Sequence, residues 1–301
     1  MELPESVRTF GEEMASSGAA RPPEELFAAY EVFAAEHAQV FMRPWIAVDH
    51  VSRLGRDGRW LRFDVGNRSA LVVREKADCL HALRNACLHA GYRVCDDEDG
   101  FGEQLFCPYH GWYYALDGRL TDPMLRPDIE DRSRYRLPRY PMRLSRGLIL
   151  VDMSAAAPSP PDPAPFDESL IPDEFADGAV TLRKRHNVAW NWKYLRQFLS
   201  ASPEAFLGGA ADEAAELGPL SFLLRRDGEA LLLRIIPRFP GQSDLDVVQV
   251  SLDGAPGVDR SEAISAALRA AADEIGAAPL TWLGRDFYAW YWPLFASALA
   301  S

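Results

Sequence analysis

The chain has 301 residues, enough for two domains at roughly 150 residues each. With 48% apolar and 25% charged residues its composition is that of an ordinary globular protein, which excludes collagen-like, disordered and disulfide-scaffold classes. The formal net charge of −12 argues against nucleic-acid binding, which needs a basic footprint, and against docking on anionic lipid.

The first twenty residues are acidic and polar, without the basic and apolar regions of a secretory signal. The longest apolar stretch, 287–300, contains Pro293 and is too short to cross a bilayer. Four cysteines without an export signal fit a reducing compartment, where patterned cysteines bind metal rather than pair. A cytoplasmic protein with no membrane and no nucleic-acid partner is expected. The Ala- and Arg-rich composition suggests a high-GC bacterial gene.

In chain order, residues 1–22 are polar and rich in Ala, Gly and Ser, and read as a loose arm. A helix is predicted over 24–42, with Leu26, Phe27, Tyr30, Phe33, Val40 and Phe41 mostly on one face and Pro44 ending it. From 44 to 153, short β-branched and aromatic runs alternate with Gly/Asp/Asn turns, the pattern of small antiparallel β structure. The Pro/Ala-rich segment 154–166 is a semi-rigid linker and the domain boundary.

Residues 167–301 mix strand and helix. A helix starts at "WNWKYLRQFL", and a hairpin turns at Asp227-Gly228. An amphipathic helix carries Ile264, Leu268, Ala271 and Ile275 on one face, with Asp259 as cap, Glu262 three residues on and Gly276 as stop. The whole is α+β, an all-β domain followed by a domain of antiparallel sheet plus helices. The aromatic run "FYAWYWPLF" reads as core of the second domain, with a subunit interface as the alternative.

The chemistry is carried by Cys87-Leu88-His89 and Cys107-Pro108-Tyr109-His110, with seventeen residues between them. Two thiolates and two imidazoles on turns of a β domain suit tetrahedral zinc or a [2Fe–2S] cluster in which two Cys hold one iron and two His the other. Spacing alone leaves both open.

The wider context separates them. "FMRPWIAVDHVSRL", "HALRNACLHAGYRV" and "FCPYHGWYYALDGRLTDP" together resemble the N-terminal part of Rieske non-haem iron oxygenase large (alpha) subunits, over about residues 30–155. The resemblance implies a small antiparallel Rieske sandwich with Cys87, His89, Cys107 and His110 as ligands of a Rieske-type [2Fe–2S] cluster. Cytochrome bc-type Rieske proteins carry an extra Cys in each loop, joined as a disulfide; here those places hold Tyr92 and Tyr109, as in the oxygenase type. Tyr109 and Trp112 are expected to shield the cluster and bond its ligands, with plain β-core packing as the alternative. Cys79 and Cys95 read as small buried hydrophobes. One departure is Ala90, where the family usually has Arg after the first ligand His.

The resemblance also implies a second, helix-grip domain holding a mononuclear iron through two His and one carboxylate, a set that leaves positions open for O₂. Its motif opens with N-W-K, present as Asn191-Trp192-Lys193. Without a gap, the bridging acid then falls on Ser202 and the two His on Ala205 and Ala210. With a one-residue gap they fall on Ala201, Glu204 and Gly209. The six histidines are His37, His50, His81, His89, His110 and His186, so none follows His186. Glu204, Asp212 and Glu213 read as a solvated acidic face rather than a substitute carboxylate site. The domain is also shorter than the resemblance implies.

The expectation is therefore a cluster without mononuclear iron and no catalytic residue of the chain's own. The chain would be an electron-transfer and assembly subunit of a hetero-oligomeric Rieske oxygenase. Its partners would be an iron-bearing homologue and a ferredoxin or flavin reductase donor. The alternatives are a self-sufficient mono- or dioxygenase with unusual iron ligands, and a ligand-binding or redox-sensing protein with a Rieske cluster.

Overall fold

The computed structural model describes residues 2–17, 21–42, 45–77, 79–126, 128–154, 167–277, 283 and 285–295. It divides into two compact units, Met1–Arg43 with Ser169–Ser301, and Pro44–Glu168. The predicted linker 154–166 lies almost wholly outside the described residues.

The first unit opens with helices α1 (Glu5–Ser17), α2 (Glu25–Ala28) and α3 (Tyr30–Glu36), the last running into a π-helical turn over His37–Phe41. The expected loose arm is thus α1. Val7 and Phe10 are buried, and Phe10 meets Tyr288 and Trp292 edge-on. Apolar contact distant in sequence orders a segment whose local composition is that of a coil.

The single helix expected over 24–42 is broken at Ala29, which is extended. The cause is tertiary. The carbonyls of Leu26 and Phe27 accept from Lys193 Nζ and Asn191 Nδ2, each at 2.9 Å, instead of closing further helical turns.

The second unit holds β1 (Ile46–His50), β2 (Arg59–Val65), β3 (Arg68–Lys76), β4 (Cys79–Arg84), β5 (Asp99–Phe101), β6 (Gln104–Cys107), β7 (Trp112–Ala115), β8 (Leu120–Pro123), β9 (Arg139–Tyr140), β10 (Met142–Ser145) and β11 (Leu148–Val151). They form a five-stranded sheet in the order β5-β2-β3-β4-β9 and two three-stranded sheets, β1-β11-β10 and β6-β7-β8. All pairings are antiparallel. The five-stranded sheet and β6-β7-β8 share one core of Trp60, Leu71, Val73, Leu83, Leu105, Trp112, Tyr114 and Leu137, into which Cys87, Cys95 and Cys107 also pack. At the β7–β8 turn Gly118 has φ +92°, and a Cβ there would press on Leu83 and Leu137.

The first unit resumes with β12 (Ala179–Val188), α4 (Trp192–Ala201), α5 (Glu204–Leu207), β13 (Glu213–Gly218), β14 (Ser221–Arg226), β15 (Glu229–Phe239), β16 (Gln242–Ser251), α6 (Ser261–Ala277) and α7 (Arg285–Phe295). The strands form one antiparallel sheet, β12-β16-β15-β14-β13. Asp227 and Gly228, both at positive φ, make the predicted β14–β15 hairpin turn, since paired positive φ matches the strand twist. Asp259 accepts from Ser261 N at 2.8 Å at the start of α6, as expected of a cap. The aromatic run of α7 belongs to the core. Phe287, Tyr288, Tyr291 and Phe295 are buried. Among the described residues no helix is long and apolar enough to cross a membrane.

Candidate metal centre

The two ligand loops use the same local device. In each, the glycine four residues after the cysteine has φ +72°. Gly91 N donates to Cys87 O at 2.8 Å and Gly111 N to Cys107 O at 3.0 Å. A left-handed residue closing such a turn favours glycine. The turn folds His89 and His110 back toward the cysteines.

The four residues expected as ligands form two contacting pairs, one of thiols and one of imidazoles. Cys87 and Cys107 are buried and their thiols face each other. The His89 and His110 rings lie 4.5 Å apart between centroids. Both Nδ1 atoms are buried with no hydrogen-bond partner, which is costly for a polar atom unless a further group takes it up. Among the described residues, the one set of three or more His, Cys, Asp or Glu donor atoms all within 4.8 Å is Glu75, Cys79 and His81. The four loop ligands thus do not converge on a point, as a single tetrahedral zinc requires. A pair of thiols and a pair of imidazoles with unpartnered Nδ1 atoms is the donor set of a two-iron cluster of this type.

Burial pushes the Cys107 thiol up, while the backbone N–H groups of Tyr109 and His110 act the other way. Those amides favour a thiolate, the form that ligates iron.

The surroundings differ in part from expectation. Trp112 covers the site, stacked on His89 with centroids 5.1 Å apart and planes at 11°. Tyr109 reaches the Cys107 sulfur through its backbone N–H and not through its phenol. It is exposed, tilted over His110, and stacked on Tyr92 at 4.8 Å. The two tyrosines join the loops at the positions where the bc type has its disulfide. Ala90 is exposed.

Two residues that sequence reasoning missed complete the site. Tyr114 Oη lies 3.1 Å from Cys87 Sγ and accepts from Leu88 N at 3.0 Å. Burial, then the bond to Cys87, raises its phenol well above the ordinary range, so it stays a proton donor. Its only sequence signal is its place two residues after Trp112 on a strand, hence on the same face. Asn85, buried, closes the first loop. Its Oδ1 accepts from Val94 N and Cys95 N, and its Nδ2 donates to Cys95 O.

Cys95 is buried as expected, and burial pushes its thiol up to about 12. Cys79 is not a buried hydrophobe. It is half-buried beside Glu75 and His81.

In the other unit, Asn191, Trp192 and Lys193 are structural anchors. Asn191 Oδ1 caps α4 at Lys193 N. Trp192 Nε1 donates to Glu36 at 2.8 Å and Lys193 Nζ pairs with it at 2.5 Å. His186, on β12, has Nδ1 3.1 Å from Ser265 Oγ on α6, and burial lowers its pKa. Glu204, Asp212 and Glu213 are exposed. Asp212 accepts from Asp227 N and Glu213 pairs with Arg225. They form the expected solvated face.

Residues 44–141 match the family model of the Rieske [2Fe-2S] domain. The glycine betaine monooxygenase oxygenase subunit of Pseudomonas aeruginosa (strain UCBPP-PA14) is 27% identical over 173 residues, 57% of this chain and 40% of the relative. The N,N-dimethyl phenylurea N-demethylase subunit alpha of Sphingobium sp. (strain YBL2) is 31% identical over 142 residues, 46% of this chain and 31% of the relative. The chain thus spans less than half the length of these curated relatives. A quaternary ammonium Rieske monooxygenase, solved in connection with carnitine oxidation by gut microbiota and inter-subunit electron transfer, shares the fold. Its TM-score is 0.68 at 16% identity, covering 88% of this chain and 86% of that one. The chain carries a Rieske [2Fe–2S] domain and is a homologue of Rieske oxygenase large subunits.

Proposed function

We propose that the chain is the electron-transfer and assembly subunit of a Rieske oxygenase whose mononuclear iron sits on a homologous partner subunit. The observation that carries this is α4. The helix begins with the family's N-W-K, yet Ser202, Ala205 and Ala210 follow where the resemblance puts the acid and the two histidines. N-W-K survives because it anchors Glu36 and the carbonyls of Leu26 and Phe27, work that needs no iron. His186 is held against α6.

A two-Cys, two-His [2Fe–2S] cluster supplies one-electron transfer at a potential above that of an all-Cys cluster. The chain's residues would do the rest. Cys87, Cys107, His89 and His110 hold it, Tyr114 holds a proton against the Cys87 sulfur, and Trp112 excludes water from His89. Leu88, Tyr92 and Tyr109 are exposed around the two loops. An apolar rim at an electron port suits docking of a donor such as a ferredoxin or flavin reductase, or of the iron-bearing partner.

Iron and acid-labile sulfide on the purified chain test the proposal. Two irons per two sulfides are expected, with oxygenase turnover only after an iron-bearing homologue is co-expressed. Three irons per two sulfides, with substrate-dependent O₂ use by the chain alone, would mean a self-sufficient oxygenase and overturn it.

A second reading, ligand binding, is favoured by a cavity of about 610 Å³ in the other unit, lined among others by Phe27, Trp190, Tyr194 and Ile275. Apolar-ligand binding that persists in a cluster-free Cys107→Ser chain, together with a cluster no ferredoxin reduces, would favour it.

A further inference from the structure

We propose that Glu75, Cys79 and His81 form a second metal site, for a zinc-class divalent cation, at the turn end of the β3–β4 hairpin. Cys79 and His81 stand two apart on β4 and so share a face. Across the hairpin, Arg74 pairs with Leu80 and Lys76 with Cys79, leaving Glu75 as the extra residue of a bulge. A bulge re-aims a side chain, and this one turns the Glu75 carboxylate onto the other two. The turn is fixed by Asp57, which accepts from Ala77 N at 2.8 Å.

The three donor atoms converge. His81 Nε2 lies 2.8 Å from Glu75 Oε2, and Cys79 Sγ lies 3.4 Å from Glu75 Oε2 and 3.6 Å from His81 Nε2. Donors around a tetrahedral zinc with ordinary bond lengths stand about 3.3–3.6 Å apart. Both sulfur distances fit, and the carboxylate needs to open by about half an ångström to admit the ion. One thiolate and one imidazole select a borderline cation over magnesium or calcium. The His81 side chain is 10% exposed and that of Glu75 34%, so one side opens to solvent and leaves the fourth position to water or an added ligand. Binding would release the Cys79 thiol proton to solvent. It would also cross-link the two strands at the head of β4, which leads directly into Asn85 and the first cluster loop.

The test uses the full chain purified with its cluster, its two irons per chain confirming that the cluster ligands are occupied. Zn²⁺ is titrated against a chromophoric chelator, and bound zinc is examined by X-ray absorption. About one zinc per chain is expected, with one sulfur and otherwise nitrogen and oxygen donors. Cys79→Ser and His81→Ala should bind at least about tenfold more weakly, with iron, sulfide and the reduced EPR spectrum unchanged. Glu75→Gln keeps the side chain's size and gives the same answer should either variant fail to fold. Absence of zinc binding at micromolar Zn²⁺, or binding undiminished in these variants, would overturn the assignment.

Discussion

His89 lies nearly flat on Trp112, with ring planes 11° from parallel and centroids 5.1 Å apart. Trp112 is buried and starts the strand that follows the second proposed cluster loop, so one indole ties the proposed ligand of the first loop to the second. Trp112→Ala should destabilise the domain by about 3–5 kcal/mol, the usual result of emptying a large core position, and should admit water beside His89. Faster bleaching of the visible cluster absorption in air is expected, with Trp112→Phe close to the parent. Equal bleaching rates for the Ala variant and the parent would remove the shielding role.

Tyr114 offers a cleaner probe of potential. Its hydroxyl, 3.1 Å from Cys87 Sγ, would stabilise the more negative, reduced state of a cluster held by that sulfur. A neutral hydrogen bond is worth about 1 kcal/mol, or roughly 40 mV for a one-electron couple. Tyr114→Phe should therefore lower the reduction potential by tens of millivolts with iron content unchanged. Redox titration followed by EPR measures it, and an unchanged or higher potential would refute the assigned bond.

The parts of this chain that sequence made legible are those whose cause is local. Cys87, His89, Cys107 and His110 stand out because each pair sits in one short turn closed by a glycine. The Asp227-Gly228 hairpin and the Asp259 cap are likewise set by neighbouring residues. What stayed hidden depends on partners far along the chain. Tyr114 reaches Cys87 across 27 residues and Phe10 meets Tyr288 near the other end. The break at Ala29 is imposed by Asn191 and Lys193. Cys79 read as a core thiol because the bulge that brings Glu75 to it leaves no mark in composition.

Lys193 and Glu36 are both fully buried, and Glu36 also accepts from Trp192 Nε1 and Tyr291 Oη. Burial lowers the Lys193 pKa, and Glu36 opposes that shift. Glu36→Gln removes the compensating charge and should destabilise its unit by about 3–5 kcal/mol. Adding Lys193→Met should recover part of the loss, because the stranded ammonium disappears with it. Denaturant unfolding of the two single variants and the double variant measures the coupling. Strict additivity would show that the pair does not act as a unit.

Asp246 sets an acid limit on the same unit. It is buried on β16, with Arg234 Nη2 at 2.5 Å, Arg185 Nε at 2.7 Å and Arg183 Nη2 at 3.2 Å. Burial alone would raise its carboxyl, but Arg234, Arg183 and Arg185 outweigh burial and hold it well below the usual carboxylate range. A folded value below the unfolded one means that the contribution is complete above about pH 4 and drains away as pH falls toward the folded value. Asp246→Asn should therefore cost about 3–5 kcal/mol at neutral pH, the usual penalty for breaking a buried pair. The gap between variant and parent should narrow below about pH 4, because the parent's carboxylate is then losing its own advantage. Thermal melts followed by tryptophan fluorescence at pH 7 and pH 3 decide the matter. A gap that stays constant or widens in acid would show that the Asp246 carboxylate is not what the three arginines stabilise.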